Sequence, residues 1–173
     1  MKTKSYKLLA IILLLWQFQP LVFGQEKNDS KTQLNEVISQ FQNAISNKDS
    51  VAFNKLFFAE KIPFTGIMSK KTEASIKTNY PDFEGISVSD NQKFIRGIGK
   101  STKKEEEKFY HIKIDTDGKI ANISFDYSFH SDSKMIQWGN EKWNLVFAEN
   151  KWLITDVIYS IHFPKVEDFP FFE

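Results

Sequence analysis

Three side chains in the C-terminal half of the sequence have the chemistry to move a proton. Glu141 and Asp156 are carboxylates in the stretch WGNEKWNLVFAENKWLITDVIYS, residues 138–160, and Tyr127 is a phenol shortly before it. A carboxylate can act as a general base while a phenol donates a hydrogen bond to a developing oxyanion. The pattern of the neighbouring residues decides whether the three side chains meet.

Strand pairing predicts that these side chains share the inner face of an antiparallel sheet. A turn at residues 149–150 pairs Trp143 with Asp156 and places Glu141 about 7 Å from Asp156 on the diagonal. The alternative is that the sheet bends, so that Glu141 emerges near its rim and a backbone amide holds Asp156. In the predicted register the polar residues of the inner face are Tyr127, Gln137, Glu141, Asp156 and Ser160.

The outer face of the same sheet carries its own polar residues. A hairpin turn at Asp117-Gly118 puts His111 and Asp126 on that face. We therefore interpret them as polar residues of the outer surface and not as a catalytic dyad. Trp138 also falls on the outer face. It is expected to be exposed, and to mark a contact surface, unless another element covers it.

Helices are predicted before these strands. Apolar residues recur at three- and four-residue spacing from Leu34 to Ile45, which indicates an amphipathic helix that starts at a capping box formed by Ser30 and Gln33. Asp49 is a predicted cap for a short second helix. Ser69 caps a third helix that runs to about residue 77, after an irregular connection at residues 63–66.

The pattern changes to strands after residue 85. Short strands are predicted at residues 86–88 and 94–98, followed by longer ones at 108–115, 119–130, 135–147 and 151–163. Helices followed by antiparallel strands are typical of an α+β domain. We therefore predict a single domain over residues 25–173.

The first 24 residues read as a signal peptide. Three lysines precede an apolar run from Leu8 to Trp16, and small residues stand just before Gln25, so cleavage is expected near Gly24. The apolar run is much shorter than the roughly 20 residues that span a membrane, so no stable membrane insertion is expected. The mature protein is predicted to be exported, to the periplasm or outside the cell.

Composition argues against several classes of function. Loss of the three lysines with the signal peptide changes the formal net charge from +1 to −2. The one lysine pair, Lys103-Lys104, runs into three glutamates, residues 105–107, which we interpret as a solvated loop; no nucleic acid partner is expected. With three histidines and no cysteine, neither a metal site nor another cofactor is predicted.

The sequence resembles the nuclear transport factor 2-like superfamily, which includes SnoaL-like cyclases, over about residues 31–163. The motifs that carry this resemblance are AISNKDSVAFNKLF and the closing hairpin, residues 143–160. The resemblance implies helices closing over a strongly curved antiparallel sheet, as a cone with an internal pocket. Residues expected to line or approach that pocket are Tyr127, Gln137, Glu141, Trp143, Asp156 and Ile158.

The catalytic residues of that superfamily do not carry over. Its isomerase-like members need a tyrosine on the first helix, where this chain has Phe41. Its dehydratase-like members use a histidine inside the pocket. Here His111 and His130 are predicted to point outward, and His162 lies at the end of the last strand.

These observations lead to three hypotheses for function. The first is a non-catalytic binding or accessory domain for a small apolar or amphipathic ligand. The second is a cofactor-independent isomerase, cyclase or dehydratase that uses Asp156 or Glu141 as base and Tyr127 as hydrogen-bond donor. The third is a protein-interaction module that uses the surface around Trp138.

The last residues, 164–173, form a tail rich in phenylalanine and proline. One interpretation is an extended segment that packs over an exposed edge or across the mouth of the cone. The other is a partner-binding strand or the contact of a homodimer.

Overall fold

The structure, a computed structural model, describes residues 19–170, with side chains from Asp29 onward. Most of the predicted signal peptide, residues 1–24, lies outside the described residues. In the part described, no helix is long and apolar enough to cross a membrane. The helices are α1 (Gln19–Ser46), α2 (Ser50–Asn54), α3 (Lys70–Lys77) and α4 (Asn91–Lys100).

Six strands form one sheet with the order β2-β1-β6-β5-β4-β3. Neighbouring strands run antiparallel except β1 and β6, which are parallel. The predicted α+β class is therefore confirmed, with a mixed sheet. The strands are β1 (Pro63–Met68), β2 (Ile86–Asp90), β3 (Glu105–Thr116), β4 (Ile120–Ser131), β5 (Lys134–Ala148) and β6 (Lys151–Ile161).

Local sequence signals explain three of the helices. The predicted stripe on α1, from Leu34 to Ile45, is buried. Asp49 caps α2 by accepting hydrogen bonds from two backbone N–H groups at 3.0 and 2.9 Å, and Ser69 caps α3 at 3.1 Å. The predicted capping box is wrong, because α1 begins at Gln19 and Ser30 lies inside it.

Two other predicted elements are wrong. Residues 63–68 form β1 rather than an irregular connection, because they pair with both β2 and β6. The predicted strand at residues 94–98 lies inside α4. The side chain of Asp90 caps this helix by accepting a hydrogen bond from the backbone N–H of Lys93 at 2.7 Å, and Ile95 and Ile98 are buried at helical spacing.

Aromatic rings fill the space between the helices and the inner face of the sheet. Phe41 of α1 lies at the centre of this core, 4.5 Å from Trp143 and 4.9 Å from Phe53 between ring centroids. Phe109 and Phe125 pack at 4.1 Å on the neighbouring strands. The helices are thus fixed to the sheet mainly by aromatic packing.

Besides a register shift at Phe129 and His130 in the β4–β5 pairing, two β-bulges decide which residues face this core. One lies between Tyr110 and Lys113 of β3, where His111 has a φ of 51°. The other lies in β6 just after Ile154, which still pairs with Leu145 as predicted. An extra residue in a strand reverses the alternation beyond it, so the predicted faces hold on one side of each bulge and fail on the other.

Candidate functional site

Glu141 and Tyr127 lie on the inner face, as their alternation predicts. Glu141 is 4% exposed, and its neighbours across the sheet are Phe125 on β4 and Tyr159 on β6. Tyr127 is fully buried. The idea that Glu141 emerges at the rim of the sheet is therefore wrong.

Asp156 and Ile158 do not lie with them. The bulge in β6 pairs Asp156 with Asn144 instead of Trp143, so both Asp156 and Ile158 face outward. Asn144 Nδ2 donates a hydrogen bond to Asp156 Oδ1 at 2.9 Å, and Ile158 is 47% exposed. The prediction that Asp156 and Ile158 line the interior is wrong, and the proposed pair of Glu141 with Asp156 does not form.

Hydrogen bonds link the remaining predicted residues. Trp143 Nε1 donates to Glu141 Oε1 at 2.5 Å. The Tyr127 hydroxyl donates to the carbonyl oxygen of Ser160 at 2.9 Å and accepts from Gln137 Nε2 at 3.4 Å. Tyr127, Gln137, Glu141 and Trp143 therefore meet on one inner surface.

A second buried carboxyl on the inner face is Glu107, which belongs to the charged run predicted to be a solvated loop. Residues 105–107 instead start β3, and Glu107 is 6% exposed on the inner face, opposite Phe129. The sequence does contain a signal for this. Glu105, Glu107 and Phe109 alternate with Glu106 and Lys108, so they occupy one face of an extended strand.

Burial dominates the electrostatics of this cluster. It raises the pKa of Glu141 to about 8, against the opposing effect of the Trp143 hydrogen bond. Burial, followed by the charge of Glu141, raises the pKa of Glu107 well above its usual range. The same causes raise the pKa of Tyr159 to about 12 and that of Tyr127 well above its usual value. At neutral pH the cluster therefore offers protonated groups that can donate hydrogen bonds.

Tyr159 lies at the edge of the cluster and is half-buried. Its ring meets that of Tyr127 edge-on at 6.2 Å. On β1, Gly66 pairs with Tyr159, and a Cβ at Gly66 would lie 2.8 Å from the Tyr159 ring. Glycine at this position allows the Tyr159 ring to pack directly against the β1 backbone.

The outer face carries His111, Asp126 and Trp138, as predicted, and another element covers Trp138. His111 Nδ1 lies 2.9 Å from Asp126 Oδ2, and the histidine side chain is 63% exposed, as expected of a polar residue on the outer surface. Trp138 is 8% exposed, because its ring stacks on His162 at 4.0 Å and meets Phe169 of the tail at 6.0 Å. The tail thus covers part of the outer face.

Across residues 29–170, no three His, Asp or Glu side chains come together in an arrangement that could hold a metal ion.

Comparisons with known proteins find likeness in structure alone. No protein-family model and no curated protein sequence matches this chain. A nuclear transport factor 2-like protein of unknown function from Shewanella baltica is 17% identical, with a TM-score of 0.53 over 78% of this chain and 94% of that chain.

Two structures from Novosphingobium aromaticivorans are also similar. A nuclear transport factor 2-like protein with a cystatin-like fold is 10% identical, with a TM-score of 0.57 over 93% of this chain and 92% of that one. A candidate scytalone dehydratase is 12% identical, with a TM-score of 0.60 over 80% and 88%. Identities this low establish a shared fold only, and on that basis the chain has the nuclear transport factor 2-like, or cystatin-like, α+β cone fold.

Proposed function

We propose that this protein binds a small apolar or amphipathic ligand inside the cone without transforming it. The observation that carries the proposal is the burial of two carboxyls, Glu107 and Glu141, among the aromatic and aliphatic side chains of the core. A ligand with one oxygen acceptor on an apolar body fits this chemistry. Its oxygen would accept a hydrogen bond from the protonated Glu141, and its body would contact aromatic rings.

The free energy of burial supports a binding role for the pair. Burying a carboxyl without full hydrogen bonding destabilises a fold by a few kcal/mol, even when the group is neutral. Among the described side chains, one donates a hydrogen bond to Glu141, through Trp143 Nε1. An apolar side chain at either glutamate position would pack with less penalty, so buried carboxyls of this kind are candidates for function.

Entry of a ligand requires rings at the edge of the cluster to move. Phe94, Phe109 and Tyr159 are half-buried and pack against the core, so their displacement exposes less apolar surface than that of fully buried rings. Gln137 lies beside them and supplies a further polar contact. A compact ligand of a few carbons is therefore favoured over a large one.

A second candidate function is cofactor-independent proton transfer, as in a dehydratase or an isomerase. Burial raises the pKa values of both carboxyls, so one can act as an acid toward a bound molecule while the other, once ionised, acts as a base. Structural neighbours described as candidate dehydratases make this reading reasonable. In that case Glu107 takes the role that the sequence assigned to Asp156, and Tyr127 remains the hydrogen-bond donor.

Comparing the binding of a ketone with that of the alkane of the same chain length tests whether the interior binds a ligand through a hydrogen bond. Binding of 2-pentanone and of pentane is measured by ligand-observed NMR for the wild-type protein and for E141L, E141Q and D156N. The wild-type, E141Q and D156N proteins should prefer the ketone, since all keep a donor at position 141. In E141L the ratio of ketone affinity to alkane affinity should fall about tenfold, which corresponds to the loss of one buried hydrogen bond.

The controls separate binding from catalysis. D156N removes a carboxyl on the outer face, so a loss of ketone binding in D156N would argue against the interior site. Equal ketone preference in E141L and wild type would refute the role of Glu141. If a substrate for proton transfer is found, E141Q should bind it without turnover, which would favour the enzyme over the binding protein.

We also propose that the binding domain is exported. The lysines before an apolar run and the small residues before Gln25 support this. Cell fractionation with mass measurement of the mature N-terminus tests it: cleavage near Gly24 is the expected result, and an intact cytoplasmic chain would contradict it.

A further inference from the structure

The C-terminal tail, residues 163–170, lies across the outer face as a separate segment and not as a strand. His162 still pairs with Trp138 through two backbone hydrogen bonds, at 3.0 and 2.8 Å. Beyond it, in the described part of the chain, no backbone–backbone hydrogen bond joins the tail to the sheet, and those within the tail end on its own Phe163 carbonyl oxygen. The tail is held through side chains, so it can leave without breaking the sheet.

One half of the tail's contact is a carboxylate site. Glu167 Oε2 accepts a hydrogen bond from the Ser69 hydroxyl and lies 2.9 Å from His162 Nδ1. Thr72 Oγ1 donates to the same oxygen at 3.5 Å. Lys71 lies close enough for its charge to act on this carboxylate. Donors from the start of α3 and from the end of β6 thus converge on one oxygen, an arrangement that suits an anion.

The other half of the contact is an aromatic slot that extends from β5 to β3. The Phe169 ring is buried and meets the ring of Tyr110 at 5.5 Å and that of Trp138 at 6.0 Å between centroids. Trp138 Nε1 also donates a hydrogen bond to the Glu167 carbonyl oxygen at 3.3 Å. Tyrosine and tryptophan are enriched in surfaces that bind other proteins, because each offers a large apolar area and one polar atom.

The surface that the tail covers is polar as well as aromatic. Ser128, which pairs with Trp138 in the sheet, is fully buried. Its hydroxyl lies 3.0 Å from the Tyr110 hydroxyl and 2.9 Å from His130 Nε2. A face that served only as packing for the tail would carry apolar side chains at these positions. Polar groups here keep the surface compatible with water when the tail is absent.

From these contacts we infer that the outer face around Trp138 is a peptide-binding site, which the tail occupies as an internal ligand. The partner is a protein segment that carries a carboxylate two residues before a phenylalanine, the spacing of Glu167 and Phe169. Such a segment takes the place of the tail, so its apparent affinity is reduced by the fraction of molecules in which the tail is open. The inference does not depend on ligand binding inside the cone.

A foreign segment is favoured over the tail of a second copy. The tail starts at His162, beside the site that it fills, so its effective concentration there is high. The tail of a second copy is engaged in its own site and gains no new contact by exchange. A foreign segment with further carboxylates does gain, because Lys70 and Lys71 are exposed next to the carboxylate site.

Fluorescence anisotropy with the labelled peptide KVEDFP, the sequence of residues 165–170, tests the site on the full chain. E167Q/F169A weakens the hold of the tail and should bind the peptide at least about tenfold more tightly than wild type does. D168N is the matched control, because Asp168 is the neighbouring carboxylate, is exposed, and should leave the wild-type affinity unchanged. The peptide KVQDAP should bind none of these proteins.

Two substitutions in the site itself complete the test. In the E167Q/F169A background, S69A should weaken peptide binding about tenfold, because it removes a hydrogen bond to a carboxylate. Y110L changes the aromatic half and leaves the cap of α3 in place, so it keeps the test decisive if S69A does not fold.

Three results would overturn the inference. The first is that KVEDFP binds E167Q/F169A no more tightly than wild type, or not at all. The second is equal binding of KVEDFP and KVQDAP. The third is sedimentation of the wild-type protein as a dimer that E167Q/F169A abolishes, since the tail would then serve a second copy.

Discussion

Glu141 and Glu167 are the same type of side chain on opposite faces of one sheet, and their pKa values shift in opposite directions. Burial raises the pKa of Glu141 to about 8, although Trp143 Nε1 donates a hydrogen bond to its side chain. Burial also acts to raise the pKa of Glu167, but hydrogen bonds from Ser69 and His162 outweigh it, and the net shift is downward. Glu167 is a well-paired structural carboxylate, and Glu141 is not.

The surroundings of Glu167 show what a structural role requires. His162 Nδ1 lies 2.9 Å from Glu167 Oε2, the Ser69 hydroxyl donates to the same oxygen, and the Glu167 carbonyl oxygen accepts from Trp138 Nε1 at 3.3 Å. These bonds fasten the tail to the outer face. Among residues 29–170, the carboxyls of Glu141 and Glu107 receive fewer hydrogen bonds than that of Glu167, which makes them the better candidates for binding a ligand.

The largest expected effect is the pH dependence of stability caused by Glu141. It is opposite in sign to the dependence expected for Glu167. Below its folded pKa of about 8, Glu141 keeps its proton in the folded state, whereas the unfolded chain loses that proton near pH 4.5. The free energy of unfolding should therefore fall between about pH 4.5 and 8, by up to about 1.4 kcal/mol per pH unit. Urea unfolding at several pH values measures this. E141Q should flatten the slope and D156N should not; a wild-type slope that is unchanged in E141Q would contradict the burial of a protonated Glu141.

Replacing Glu107 with an apolar residue should stabilise the protein. E107M removes a buried carboxyl to which no hydrogen bond is described, and should raise the free energy of unfolding by about 1–3 kcal/mol at pH 8. E106M is the matched control, because Glu106 lies on the outer face one residue away and should change stability by less than about 0.5 kcal/mol. A destabilised E107M would mean that Glu107 is paired like Glu167.

Removing the hydrogen bond to Glu141 should cost about 2 kcal/mol. W143F keeps an aromatic ring but loses the N–H donor and some packing volume. The loss should be greater at pH 9 than at pH 6, because the donor stabilises the ionised carboxylate. W152F is the control, since Trp152 Nε1 is buried without a hydrogen-bond partner. A W152F loss with the same pH dependence would show that Trp143 has no special role.

The smallest effect is expected at the tail. E167Q should lower the free energy of unfolding by about 1 kcal/mol at pH 7 by weakening the hydrogen bonds to His162 and Ser69. A carboxylate with a lowered pKa contributes stability above pH 4.5 and loses it as pH falls through its folded pKa. The difference between E167Q and wild type should therefore shrink on acidification. Guanidinium unfolding at pH 7 and pH 3.5 measures it, and a difference that grows in acid would be inconsistent with this pairing.

The sequence predicted the fold well because its signals are local and repeated. The apolar stripe of α1, the caps Asp49 and Ser69, and the alternation of the long strands depend on neighbours within a few residues. The α4 helix was missed because the aromatic and β-branched residues at 94–98 favour a strand, while burial at helical spacing decided the outcome.

The candidate site was predicted only in part, because one extra residue in a strand reverses which side chains face inward beyond it. Tyr127 and Glu141 lie in the regular part of the β4–β5 pairing, whereas Asp156 follows the bulge in β6 and faces outward. Glu107 was missed because its charged neighbours resemble a loop. The contact between Trp138 and Phe169 could not be predicted from sequence, because the tail folds back across the sheet.

The most direct test is carboxyl ¹³C NMR of protein labelled at the glutamate Cδ atoms. The difference between wild type and E141Q assigns the Glu141 resonance, and E107Q assigns that of Glu107. The structure predicts a Glu141 carboxyl that is protonated at pH 7 and titrates with a midpoint near 8. A Glu141 resonance that completes its titration below about pH 6, like an ordinary surface glutamate, would contradict the central claim.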